Sequence, residues 1–360
     1  MWVADMDFEA MPEILQALQD RVAHGIFGYT KVGQAYYDSI TRWYERRHGW
    51  HIPAEWVIYT SGVVPAVSAA IRALTMPSEQ VLMMTPAYNC FFPAIRNNGC
   101  EVVESRLQCD ISAEGVMQWS IDFEDFEEKC KCERVRCFLL CNPHNPVGRV
   151  WTKDELQRMA DICLRHNVTI IADEIHNEIV MPGHKYTPIA SLSDEVADHC
   201  ITCCSPTKGF NIAGLQIANI VVKDSDLRYR VDRAINVMEC CDVNPFGVTA
   251  LQVAYDKGYA WLDELCAYIN ENYRTMCEAL KEAQPEWRIS PLEGTYLAWI
   301  DISASGLSAQ QMADKLLNDC GVMVSAGTLY GAAGEGFIRV NLACQRARLQ
   351  EALRRIESLK

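Results

Sequence analysis

From about residue 80 to residue 222, short apolar runs alternate with longer amphipathic stretches. Val81–Met84, Arg136–Cys141, Val168–Ala172, Ile201–Cys204 and Ile217–Val222 read as strands. The stretch from Thr152 to about Arg165 reads as a helix. Thr152 and Glu155 form a capping box there, the hydroxyl and the carboxylate each satisfying a free backbone N–H. Asn167 then turns the chain into the next strand. This alternation predicts an α/β fold, a mostly parallel sheet with helices on both faces, hence three layers. After about residue 250 the pattern changes. Long helical segments, Trp261–Ala283 and Ala309–Cys320, bracket shorter strands at Thr295–Asp301 and Gly336–Asn341. That half reads as a smaller α+β domain. The expected division is a large domain over 38–250 and a small one built from 1–37 and 251–360.

Composition narrows the function classes. With 360 residues, the chain is too long for one ordinary core, and 49% hydrophobic with 22% charged residues is a globular balance. A formal net charge of −14 repels nucleic acid and anionic membranes, so neither is expected as a partner. No apolar run reaches the ~18–20 residues of a membrane span. The 17 cysteines sit largely in apolar runs, as in Cys200-Ile-Thr-Cys203-Cys204. Cys200 and Cys203 form a CxxC, but on a strand such positions face opposite ways. Buried thiols in a reducing cytosol are the expectation, with no metal or redox pair. Met1 to Phe8 is apolar at Trp2, Val3, Met6 and Phe8 with no polar lead-in, so the natural N-terminus is expected upstream.

In an open sheet of this kind, ligands bind at the carboxyl ends of the strands. Lys208 lies just after one such end, in Ser205-Pro206-Thr207-Lys208-Gly209-Phe210-Asn211. Set among small and apolar residues, its amine would have a lowered pKa and could form a Schiff base. A surface lysine in a polar loop is the competing reading. Asp173 ends a strand apolar enough to be buried on both faces. A carboxylate there needs a cation, and a pyridinium nitrogen is one. An Asp that caps a helix or pairs with an Arg would look the same. Asn142-Pro143-His144-Asn145-Pro146-Val147-Gly148 follows another strand end as a rigid turn, whose amide could meet a phenolate oxygen.

Taken together, Asn-Pro-His-Asn-Pro-Val-Gly, Ala-Asp-Glu-Ile-His and Ser-Pro-Thr-Lys-Gly-Phe-Asn, in this order and spacing, resemble the fold-type-I enzymes that use pyridoxal 5′-phosphate (PLP). That is the aminotransferase class I/II superfamily. Trp2–Phe8, Phe27-Gly28-Tyr29, Thr85-Pro86-Ala87-Tyr88 and Thr295–Asp301 are similar to its cystathionine β-lyase-like branch of C–S lyases. The resemblance covers nearly the whole chain.

It implies a role for each matching residue. Lys208 would carry PLP as a Schiff base and later move the substrate Cα proton. Asp173 would bind the pyridine nitrogen, and Asn145 the phenolic oxygen. His176 stands where many aminotransferases have a Tyr for that oxygen. Tyr88 would stack on the ring. Backbone N–H groups of Val63 and Val64, at a helix start, would hold the phosphate with hydroxyls of Ser205 and Thr207. Tyr29 would reach it from the neighbouring subunit of a homodimer. Arg339 would clamp the substrate carboxylate. The implied reaction is β-elimination from cystathionine or another cysteine S-conjugate, with transamination of an L-amino acid as the alternative. Gln216 departs from the pattern, since many aminotransferases have a phosphate-binding Arg there. A metal site at His144 and His176 lacks further ligands. The glycines from Gly331 to Gly336 read as a flexible turn before a strand. Glu174 reads as structural. A non-catalytic regulatory protein on the same fold would call for a DNA-binding motif or basic patch, and none is read.

Overall fold

The computed structural model describes residues 1–359. Its strands are β1 (Val57–Thr60), β2 (Gln80–Thr85), β3 (Glu101–Arg106), β4 (Gln108–Ile111), β5 (Met117–Ser120), β6 (Val135–Cys141), β7 (Thr169–Asp173), β8 (Cys200–Cys204), β9 (Ala218–Val221), β10 (Arg288–Ile289), β11 (Leu297–Asp301), β12 (Ser325–Ala326) and β13 (Phe337–Asn341). Seven of them form one sheet in the order β1-β9-β8-β7-β6-β2-β3. The pairs from β3 through β2, β6 and β7 to β8 are parallel. β9 runs antiparallel to both β8 and β1, so the run at Ile217–Val222 is the strand that reverses direction.

Alternate residues of these strands enter two apolar layers. Leu82, Phe138, Leu140, Ile170, Cys200 and Cys204 join one. Val81, Met83, Leu139, Ile171, Ile201 and Cys203 join the other, under the helices Val63–Leu74 and Ser225–Val237. Burial on both faces is what the apolar strands anticipated. It also puts Cys200 and Cys203 on opposite sides of the sheet. All 17 cysteines are free thiols, and no cluster of potential metal ligands occurs among the described residues. None of the described helices is long and apolar enough to cross a membrane.

The helix Lys153–Arg165 starts as read, with both arms of the Thr152–Glu155 capping box present. The second sheet, β10-β11-β13-β12, is antiparallel and packs with the helices Tyr259–Ala283 and Ala309–Cys320. Helix Tyr259–Ala283 turns Leu262, Leu265, Ile269, Met276 and Leu280 into the core. Both expected domain boundaries fall inside helices, Gln34–His48 and Pro245–Lys257. Trp43 and Tyr255 stack across that helix pair, with ring centroids 5.0 Å apart. The segment Gly331–Gly336 also differs from the flexible turn expected. It holds a tight 3-10 turn, Ala332–Gly334, packed against the preceding one, Gly327–Tyr330, so that a Cβ on Gly327 would lie 2.1 Å from the Gly334 carbonyl oxygen.

Candidate active site

β6, β7 and β8 end level with one another, Cys141 beside Asp173 and Asp173 beside Cys203. The Asn142 N–H donates to the Asp173 carbonyl at 3.0 Å and the Glu174 N–H to the Cys203 carbonyl at 2.9 Å. The segments that follow these strands therefore leave the sheet side by side. They line a cavity of about 200 Å³ together with Ser61, Gly62, Val63, Val64, Tyr88 and Gln216. Asn145, Asp173, His176, Thr207 and Lys208 all face it.

Asp173 is buried, and its one side-chain hydrogen bond comes from the Ile175 N–H at 3.1 Å. Burial pushes its carboxyl up to about 7, partly offset by that hydrogen bond and by Lys208. A cation beside it would restore the charged form. Glu174 turns away. Its carboxylate accepts from the Ile189 N–H at 3.1 Å and from the Tyr186 hydroxyl, and burial raises it to about 8. That is the structural role expected for it. His176 is buried with Nδ1 unpartnered and its ring edge-on to Tyr296. Burial, then the charges of Lys208 and Arg339, hold its pKa well below the usual value, so the imidazole is neutral.

Lys208 sits on a turn braced from within. The Ser205 hydroxyl lies 2.6 Å from the Ile217 carbonyl and 2.9 Å from the Thr207 hydroxyl, and accepts from the Thr207 N–H at 3.1 Å. Of the two hydroxyls expected on a phosphate, only Thr207 lines the cavity. Ser205 is turned to β9's approach and shapes the loop. Burial and Arg339 lower the Lys208 pKa. Its Nζ donates to the carbonyl of Ala4, which also accepts from the Tyr296 hydroxyl at 2.9 Å.

The helix Val63–Leu74 begins at the cavity wall with Gly62 as its cap, no side-chain cap hydrogen bond and no acidic residue in its first turn. The N–H groups of Val63 and Val64 are thus free to meet an anion where the helix dipole favours one. Arg339, on β13, is 4% exposed. It donates to Asn145 Oδ1 at 3.1 Å and to the Trp2 carbonyl at 3.1 Å, leaving Nε without a partner. Tyr29 lies outside this group, fully exposed.

The donor set fits PLP. It offers a lysine for the aldehyde, a buried carboxylate for the ring nitrogen, an amide and a neutral imidazole for the ring oxygen, and a bare helix start for the phosphate. The sequence profile described as aminotransferase class I and II matches residues 3–356. The chain belongs to the aminotransferase class I and II family. Among family members it is similar to cystathionine beta-lyase PatB of Bacillus subtilis, at 42% identity over 99% of this chain and 91% of that protein. It is also similar to the crystal structure of cystalysin from Treponema denticola, which contains a PLP cofactor. The TM-score is 0.96 at 35% identity, covering 100% of this chain and 90% of that one. A PLP-bound C–S lyase from Staphylococcus hominis superposes with a TM-score of 0.92 at 32% identity, covering 100% and 92%.

Residues that pattern reading passed over complete this family site. Ala4 contributes only a carbonyl, which no side-chain motif announces. Tyr330 lies under the Arg339 guanidinium, 4.7 Å from ring centroid to Cζ, and its carbonyl accepts from the Ala87 N–H at 2.9 Å. Asn211 and Asn341 tie the first residues of the chain across the site, through Met6, Phe8, Val3 and Asp5. Asn211 and Asn341 stood inside quoted segments, and an Asn three residues after the lysine was the available signal for the first.

Proposed function

We propose that this protein is a PLP-dependent carbon–sulfur β-lyase that converts cystathionine or another cysteine S-conjugate to pyruvate, ammonia and a thiol. The observation that carries the PLP assignment is the convergence of Lys208, Asp173 and the free helix start at Val63–Val64 on one cavity. Its similarity to PatB over 99% of the chain supports the lyase branch.

When bound, the cofactor supplies an electron sink for charge that develops at the substrate Cα. The chain's residues do the rest. Val63 and Val64 would hold the phosphate through backbone N–H groups, with the Thr207 hydroxyl. Asp173 would keep the ring nitrogen positive. Asn145 and His176 would donate to the ring oxygen. Arg339 holds the substrate carboxylate, already oriented by Asn145 and the Trp2 carbonyl. Lys208, its pKa lowered by burial and by Arg339, spends more time as the neutral amine and takes the Cα proton. Tyr88 lies on the cavity wall, and burial raises its pKa, so its hydroxyl stays protonated and can donate toward a departing sulfur. Transamination would use the same Lys208, Asp173 and Asn145 and differ in where the proton returns.

The reading further makes the enzyme a cytosolic homodimer in which Tyr29 of one subunit reaches the phosphate of the other. The exposure of Ile26, Phe27 and Tyr29 supports that arrangement. Lys208→Ala tests the core of it. The variant is expected to lose covalent cofactor attachment, the associated visible absorbance and turnover; wild-type turnover by that variant would sink the assignment.

A further inference from the structure

Directly behind the active-site segment that starts at Asp173 lies a carboxylate the mechanism does not use. Glu178 is fully buried at its side chain, and three residues of one helix meet it: two hydrogen-bonding groups at Oε1, and at Oε2 the Arg47 charge, which lies close without completing a hydrogen bond. Trp43 Nε1 donates to Oε1 at 2.7 Å, His48 Nε2 lies 3.0 Å from the same oxygen, and Arg47 Nε lies 3.0 Å from Oε2. These residues all lie in the last two turns of the helix Gln34–His48, so the C-terminal end of that helix converges on one side chain. Burial alone would raise the Glu178 pKa, but His48, Arg47 and Trp43 reverse this and hold it lowered, so the group is a charged carboxylate in the core.

The stem of Glu178 touches the other catalytic segment. A Cβ built on Gly209, the residue after Lys208, would lie 3.2 Å from Glu178 Cβ. The Glu178 carbonyl accepts from Cys266 Sγ at 3.5 Å, and the preceding residue, Asn177, donates to the Tyr44 hydroxyl at 2.9 Å. The segment from Asp173 to Glu178 is therefore anchored at its far end by the carboxylate, while the same side chain backs the turn that carries Lys208.

Building on the proposed PLP function, we infer that Glu178 is a positioning residue. It fixes the relative placement of Asp173, His176 and Lys208 through the helix Gln34–His48, without touching cofactor or substrate. Neutralising Arg47 is the lesser part of its role, because Arg47 also pairs with Asp263 at 3.0 Å and keeps some exposure.

The test compares holoenzymes of wild type, Glu178→Gln and the double variant Glu178→Gln/Arg47→Gln. It follows the visible circular dichroism of bound PLP, the dissociation constant for PLP, kcat and KM with L-cystathionine, and the thermal midpoint. A misplacement of about 1 Å at a reacting group can cost ~10²-fold. Glu178→Gln is therefore expected to lower kcat by about tenfold or more, weaken PLP binding and change the visible dichroism, with KM moved by less than about threefold because Arg339 is untouched. The double variant also removes the Arg47 charge that has lost its buried partner, and is expected to recover the thermal midpoint but neither kcat nor the dichroism. Recovery of kcat with the midpoint would overturn the inference, leaving only charge neutralisation. So would a PLP-loaded Glu178→Gln with unchanged kcat and dichroism. If the single variant does not fold, Trp43→Phe removes one hydrogen bond to Oε1 and keeps an aromatic ring. An unaltered dichroism and kcat in that variant would count against the inference in the same way. A wild-type chain that takes up no PLP would overturn the functional reading and this inference together; a loaded wild type beside an unaffected variant overturns the inference alone.

Discussion

Asp173 shows how a single residue ties stability to function. Its folded-state pKa of about 7 lies above the ordinary carboxylate value of 3.8, because burial disfavours the charge. The folded cofactor-free protein then binds a proton more tightly than the unfolded chain. Stability is greatest below the unfolded pKa and is lost as pH rises from about 4 to about 7. Glu174, raised to about 8 by burial, adds to the same slope. Denaturant midpoints of PLP-free protein are expected to fall between pH 5 and pH 8, and Asp173→Asn to flatten the fall. Midpoints that climb over that range would contradict the assigned direction. With PLP loaded, Asp173→Asn is expected to weaken cofactor binding by about tenfold or more, since a charged partner for the ring nitrogen is gone. Arg339→Lys cannot keep Asn145, the Trp2 carbonyl and a carboxylate at once, so KM for the amino acid is expected to rise about tenfold. An unchanged KM would remove Arg339 from the substrate site. Asp173 was legible because it closes an apolar run where a charge needs a reason, whereas Arg339 lies inside β13 and was reached only through the family resemblance. Ser205 and Thr207 were not separable in sequence. The Ile217 carbonyl, distant along the chain, decides which of the two hydroxyls faces inward.

At the scale of elements, the N-terminal segment and the strand β13 work as one unit. Asn341 donates to the Val3 carbonyl at 2.5 Å and to the Asp5 carbonyl at 2.6 Å, and Arg339 to the Trp2 carbonyl. The same segment supplies the Ala4 carbonyl to Lys208. Asn341→Ala leaves two acceptors short of a partner and is expected to cost about 1–3 kcal/mol in denaturant stability. Proteolysis near the first residues should accelerate in that variant, and an unchanged rate would show that the segment is held by other contacts. This strap was the least legible part of the fold. Its backbone groups bond mostly to side chains, with single backbone hydrogen bonds to β13 at Met1 and to Ala343 at Asp7, so no period-2 or helical pattern marks it. The parallel core was the most legible, since strands buried on both faces leave continuous apolar runs. The direction of β9 was not, because antiparallel and parallel buried strands share that pattern. The glycines from Gly331 to Gly336 were read as a flexible turn for a physical reason as well. Close backbone approach and flexibility call for the same residue, and only the Gly327–Gly334 contact tells them apart.

For the whole molecule, the layered sheet brings the ends of β6, β7 and β8 together, and the helix start at Val63 completes a cavity suited to an anionic aromatic cofactor. Family membership accounts for that arrangement, and the site residues account for what it can do. The central claim is that this arrangement runs elimination of a sulfur leaving group. The direct test is to incubate the PLP-loaded protein with L-cystathionine, with no keto acid added, and follow pyruvate and free thiol together. The account predicts that both appear in equal amounts over many turnovers. No release, with activity only once a keto-acid acceptor is supplied, would contradict it and make the protein an aminotransferase.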